Sequence, residues 1–171
     1  MNRAVADTGP LLHLQEINQL SLLSLFAAID ISSQVKAELE DYLAWSSLEK
    51  AKGLKTTVRT VTDAEIKREN RRWRSLGLSD PDLSVLVLMR RFPKAMVLTD
   101  DLELRRAVMV AGRQVTGSVG IIVRGYRQRH LSYEEMITAM DRLFNDSSLY
   151  LSRSFKKRVL ELIRDLEEQR N

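Results

Sequence analysis

Ala4-Val5-Ala6-Asp7-Thr8-Gly9-Pro10 is the stretch on which the reading of this chain turns. Ala4 to Ala6 carry no polar side chain, as suits a short strand covered on both faces of a parallel sheet. Asp7 stands where that strand stops. Thr8 or Gly9 is placed to cap the next helix. Pro10 suits the first helical turn, since it has no N–H to leave unpaired. In open α/β sheets, ligands bind in the crevice beyond the carboxyl ends of the strands. Asp7 therefore has two readings, a site carboxylate or an ordinary turn residue.

The chain has 171 residues, the size of one domain. Hydrophobic residues make up 44%, enough to build a core. Cysteine is absent, which excludes disulfides and thiolate metal sites. His13 and His130 lie far apart and read as structural or surface residues, so any metal is expected on oxygen ligands. No apolar run is long enough for a transmembrane helix. Met-Asn-Arg leads directly into the first strand with no signal-like segment, so a cytoplasmic location is expected. Net charge is +4, which allows a polyanionic partner without demanding one.

Outward from the opening stretch, short apolar strands alternate with helices. Ala28–Ile31, Ala95–Leu98 and Gln114–Thr116 read as strands, and β-branched Thr56–Val61 as an extra edge strand. Leucine-rich Leu11–Phe26 reads as two short helices or one bent one. A helix capped by Ser32 or Ser33 runs to Gly53, with Val35, Leu39, Tyr42 and Leu43 on one face. Thr62 opens a polar helix over Asp63–Ser75. Asp80 is expected to cap a buried helix with Pro81 in its first position, ending at Arg90–Pro93. Further helices are expected to Ala111, from Gly117 or Ser118 to Gln128, and from a capping box at Ser132 to Phe144. The last, Ser154–Gln169, carries Phe155, Val159, Leu162, Ile163 and Leu166 along one face. This alternation predicts a three-layer α/β/α sandwich with a short, mainly parallel sheet. A single domain is expected over 1–171, with the helices of about 132–169 packed on it.

Acids recur at element boundaries: Asp7, Glu38, Asp82 and the pair Asp100-Asp101. Asp7 and Asp101 follow strands, which a parallel sheet places at one edge. Glu38 and Asp82 are read in the first turns of helices near that edge. Two unit charges about 4 Å apart repel by roughly 4 kcal/mol at an effective dielectric of about 20. Convergence therefore calls for a hard divalent cation, which prefers carboxylate and water ligands. Taken singly, each acid also has a plainer reading. Glu38 and Asp82 complement helix dipoles, and Asp100 caps the helix starting at Asp101.

Five motifs together resemble the PIN domain family of metal-dependent nucleases, and more narrowly its small prokaryotic members related to toxins of toxin–antitoxin pairs. Val5-Ala6-Asp7-Thr8-Gly9-Pro10-Leu11 resembles the opening strand and first acid of that family. Val35-Lys36-Ala37-Glu38-Leu39 is similar to its second acidic motif. Leu78-Ser79-Asp80-Pro81-Asp82, followed by Leu83 to Met89, is similar to its third, with Asp82 in the acid position and Asp80 beside it. Val97-Leu98-Thr99-Asp100-Asp101 with Arg105 resembles the fourth, where a Thr-x-Asp spacing selects Asp101 and leaves Asp100 as a further candidate. Thr116-Gly117-Ser118-Val119-Gly120-Ile121-Ile122 is similar to a glycine-containing helix start. The resemblance covers about residues 3 to 165. It implies a PIN-like, Rossmann-like fold and Mg²⁺ or Mn²⁺ at Asp7, Glu38, Asp82 and Asp101, with Asp100 as an additional metal candidate. It also implies hydrolysis of RNA phosphodiester bonds by a metal-activated water. Asp7 and Asp101 become the principal ligands, Glu38 and Asp82 the holders of a second metal or of water.

Lys67, Arg68, Arg71, Arg72 and Arg74 crowd one helix and read as a phosphate-backbone contact or a solvated face. Expected partners are an RNA substrate, an antitoxin protein and a second copy of the chain, with no membrane. Trp45 and Trp73 read as base-stacking or core residues. Two other functions share the same residues, a DNA or structure-specific nuclease and a catalytically silent PIN fold that binds RNA or protein.

Overall fold

The computed structural model describes residues 3–42, 44–51 and 53–168, with the side chains of 166 and 167 left out. Leu43 and Gln169, and the Leu166 side chain, fall outside the described residues. Five strands form one sheet: β1 (Arg3–Ala6), β2 (Ala28–Ser32), β3 (Thr56–Arg59), β4 (Met96–Leu98) and β5 (Val115–Thr116). Among the described residues every pairing is parallel, in the order β3-β2-β1-β4-β5. The chain thus winds one way from β1 to β3, then returns to the far side of β1 for β4. The carboxyl ends of β1 and β4 flank the point where that order reverses.

Helices flank the sheet. They are α1 (Thr8–Glu16), α2 (Ser33–Asp41), α3 (Trp45–Lys50), α4 (Asp63–Arg72), α5 (Asp80–Arg91), α6 (Leu102–Val110), α7 (Ser118–Arg127), α8 (Tyr133–Asn145) and α9 (Arg153–Glu168). Short 3₁₀ turns at Leu20–Leu25 and Arg74–Leu76 join them. Helix α5 lies across β2, β1 and β4, and its residues 83 to 89 are all buried, as its continuous apolar sequence requires. Helix α7 packs against α1 and β5 and carries α8 on its outer side. Val159 and Ile163 of α9 are buried, whereas Phe155 and Leu162 of the same expected face are exposed.

Local structure departs from the sequence reading at four places, each for a physical reason. The helix expected from Ser32 to Gly53 is two helices, α2 and α3. The Ala44 N–H bonds to the Leu39 carbonyl, five residues back, which turns the chain so that Ala44 and Leu48 reach the core. The first helix is capped by Asp7 rather than Thr8 or Gly9, because the Asp7 carboxylate accepts the Thr8 N–H at 2.7 Å. Ser79, not Asp80, caps α5: its hydroxyl accepts the Asp82 N–H while Asp82 accepts the Ser79 N–H, so Pro81 falls in the second helical position. Asp101, not Asp100, caps α6 through the Leu104 N–H at 2.7 Å.

One acid lies within the sheet itself. Asp30, 1% exposed, sits in the middle of β2 beside Val5 of β1 and Thr57 of β3. Its two oxygens take Arg3 at 2.8 Å and Arg59 at 2.6 Å, one guanidinium from each neighbouring strand. Both guanidiniums lie over the Phe92 ring, at 4.7 and 5.4 Å. The cluster ties three strands together. Asp30→Ala is expected to cost about 2 kcal/mol in urea denaturation, below the cost of breaking a fully buried pair because the arginines reach solvent.

Candidate active site

Every acid singled out from the sequence has a defined place near the β1/β4 crossover or on an element leading to it. Asp7 ends β1 and is 6% exposed. Its N–H continues the sheet by bonding to the Leu98 carbonyl at 2.9 Å. The carboxylate accepts the Thr8 N–H on one oxygen and the Thr99 hydroxyl, at 2.8 Å, on the other. Thr99 is fully buried and also accepts the Asp101 N–H at 3.0 Å. A single hydroxyl thereby connects the ends of β1 and β4. Arg105 closes the same turn from α6, donating to the Thr99 carbonyl at 2.9 Å.

Glu38 reaches this edge from α2, where the Thr8 hydroxyl donates to its carboxylate. It is the sixth residue of α2, beyond the first turn, so the helix dipole does not account for an acid there. Asp82 comes from the start of α5, held by the Ser79 hydroxyl at 2.6 Å. Asp80 beside it is exposed.

Burial and neighbouring charge act on two of these acids. Burial, then the charge of Asp82, and to a lesser degree that of Glu38, push Asp7 up to about 7, against the bonds from Thr99 and Thr8 that hold it down. Burial also raises Asp82, with Asp101 adding to the rise and Ser79 opposing it. Asp7 therefore feels Glu38 and Asp82, and Asp82 feels Asp101. Asp82 is thus the acid coupled to both Asp7 and Asp101. Their donors are carboxylate and hydroxyl oxygens, the set that suits Mg²⁺ or Mn²⁺. Among the described residues no three acid or imidazole groups are gathered into a ready-made metal cage.

Asp100 is built in differently. One oxygen accepts the Ser118 N–H at 2.8 Å, and the other accepts the Ser118 hydroxyl at 2.5 Å and His13 Nδ1 at 2.8 Å. Sequence reading treated His13 as unconnected to the acids. Its place one turn after Pro10, on the helix that Asp7 begins, was the available signal. Ser84 was passed over, and Ser32 was read only as a helix cap, which it is. Ser32, the α2 cap, and Ser84 of α5 share a buried hydrogen bond of 2.6 Å, linking the helix of Glu38 to that of Asp82. The tryptophans are packing residues: Trp73 donates to Glu69 at 3.2 Å, and Trp45 packs on the core with Lys36 over its ring.

A carboxyl with a raised folded pKa binds more protons folded than unfolded between the two values. Stability therefore falls as pH rises from about 4 through about 7. For Asp7 alone the loss is at most about 4 kcal/mol, from three units of separation at 1.36 kcal/mol each. Asp7→Asn removes the charge and keeps one accepting oxygen, for the Thr8 N–H, while its NH2 faces a Thr99 hydroxyl that must turn to accept. Thermal melts of metal-free protein from pH 4 to 8 should show the wild type losing stability across that window and the variant losing clearly less, the remainder coming from Asp82.

No curated protein matches the chain. A family model described as a PIN domain matches residues 3–165. PIN domains are generally nucleases that use divalent metals, and their fold is of nuclease type. With its all-parallel sheet, flanking helices and this match over nearly its whole length, the chain belongs to the PIN domain family.

Proposed function

We propose that this protein is a divalent-metal-dependent ribonuclease of the toxin type, with Asp7, Glu38, Asp82 and Asp101 as its working acids. The observation that carries the reading is the state of Asp7. It is buried among other acids, yet among the described residues no arginine or lysine pairs with it. A carboxylate so placed lacks a cation, and Mg²⁺ or Mn²⁺ fits the oxygen donors around it.

Such an ion, when bound, supplies Lewis-acid neutralisation of the phosphodiester charge and of the acids themselves. The chain supplies the rest. Asp7 and Asp101 hold the ion, oriented together by Thr99. Glu38, steadied by Thr8, and Asp82, steadied by Ser79, orient the attacking water and receive its proton. Asp82 is the better choice over Asp80 because its field reaches both Asp7 and Asp101, while Asp80 is exposed.

Substrate approach follows from α4. Arg91 pairs with Glu65 and Arg90 with Glu69, so α4 and α5 run antiparallel. The basic end of α4 therefore lies toward the end of α5 that carries Asp82. Arg71 there is exposed, and so is Arg68 a turn earlier beside Arg90 and Arg91, whereas Arg72 is spent on Glu69. In this reading Arg68 and Arg71 meet the RNA backbone, in a cytoplasmic protein whose residues 1–171 work as one domain. An antitoxin protein and a second copy of the chain remain the proposed protein partners. Among the described residues no helix is long and apolar enough to cross a membrane.

Labelled single-stranded RNA and DNA, incubated with protein in Mn²⁺, Mg²⁺ or chelator, test the assignment. Metal-dependent cleavage of RNA is expected, with Asp7→Asn and Asp101→Asn each lowering kcat about 100-fold or more. DNA cut as readily as RNA would replace the ribonuclease reading, and binding without cutting in any metal would leave a silent RNA-binding fold. Arg68→Ala and Arg71→Ala should raise KM and flatten the salt dependence of RNA binding by about 0.7 log units per arginine, with kcat kept.

A further inference from the structure

We propose that Asp100, His13 and Ser118 form a positioning strut, which fixes the Thr99–Asp101 turn so that Asp7 and Asp101 meet a divalent cation in register. The inference rests on the metal-site reading above and gives it three further residues.

The Asp100 side chain is only 10% exposed and is filled by three donors from two distant elements. His13 comes from α1, which begins at Asp7. Ser118 comes from the first turn of α7. Helix α7 has no side-chain cap of its own, since Gly117 occupies the capping position. Asp100 supplies the missing acceptor from another loop and places its charge at the positive end of that helix. The joint is tight. A Cβ on Gly117 would lie 2.3 Å from the Asp100 carboxylate, 2.8 Å from the Arg105 guanidinium and 3.0 Å from the Thr99 carbonyl. Gly117 is extended, with φ −116°, so space rather than torsion demands the glycine.

Asp100 is flanked by the residues that matter. Thr99 binds Asp7, and the Asp101 N–H binds Thr99. With its carboxylate locked to α1 and α7, Asp100 leaves the turn little freedom to shift. A tilt of the turn would move Thr99 off Asp7 and Asp101 away from it together. Supporting hydrogen bonds of this kind are worth about 10- to 100-fold in metal affinity.

The test measures Mn²⁺ uptake by metal-free protein through electron paramagnetic resonance, alongside kcat and KM on RNA. Asp100→Asn, His13→Leu and Ser118→Ala should each weaken Mn²⁺ binding about tenfold and lower kcat, with KM for RNA little changed. His13→Asn puts an amide N–H near the position of Nδ1 and should restore most of the affinity that His13→Leu loses. Melting curves identify any variant that fails to fold. Should Gly117→Ala fold, it should resemble Asp100→Asn.

Wild-type affinity in the His13 and Ser118 variants, with Asp100→Asn alone impaired, would make Asp100 a direct ligand and overturn the strut. So would equal losses in His13→Asn and His13→Leu. Normal affinity in all three variants overturns the strut while leaving the metal site standing. Failure of the wild-type protein to take up Mn²⁺ overturns both.

Discussion

The Thr99 hydroxyl donates to Asp7 and accepts from the backbone of Asp101 in the same buried position. One hydroxyl has one proton and two lone pairs, so it completes both bonds only if the ends of β1 and β4 lie side by side. The parallel register supplies that: Ala6 pairs with Leu98, one residue before Asp7 on one strand and before Thr99 on the other. Return of the chain across β1 to form β4 is therefore what puts the Asp7 carboxylate and the Asp101 backbone on one hydroxyl. The crossover is also where an open sheet leaves a crevice. The helices then deliver the remaining acids to the same edge.

Concentrating acids there opposes stability. Asp7 is raised to about 7 because burial and its acidic neighbours both disfavour its charge. A protein selected only for stability would replace one of these groups with a neutral one. Conflict between local stability and side-chain choice is expected at functional positions. The surrounding polar bonds limit the cost without removing it. Thr8, Thr99 and Ser79 each spend a hydroxyl proton on a carboxylate oxygen. They neutralise nothing.

Much of this was legible in the chain because strands β1 and β4 are apolar runs that end abruptly on acids. Covered strands and boundary residues are local signals. The capping details were misread because competing caps adjoin one another: Asp7-Thr8-Gly9, Ser79-Asp80 and Asp100-Asp101 all offer two or three good acceptors. Which one caps depends on where the strand delivers the backbone, a tertiary matter. The break after Asp41 was hidden for a similar reason. Residues 33 to 51 have helical spacing throughout, and only the need to bury Ala44 and Leu48 turns the chain. His13 offered only its place on the helix that Asp7 begins, since its partner is 87 residues away.

Two buried acids, Asp30 and Glu69, and the half-buried Asp100 are neutralised or satisfied in three ways, and the contrast bears on Asp7. Asp30 has an arginine on each oxygen. Glu69 draws Arg72 and Arg90 to one oxygen and the Trp73 N–H to the other. Asp100 takes a histidine, a hydroxyl and a helix N-terminus. The chain has 27 lysines and arginines and uses several of them this way. Asp7 is buried too, has Arg105 bonded to the adjoining turn, and still receives, among the described residues, only a hydroxyl and one N–H. An arginine on Asp7 would stabilise the fold and would occupy the space that the proposed function gives to a cation. Keeping that space free of cationic side chains makes sense if the counter-charge is to come from outside, with the substrate's phosphate beside it.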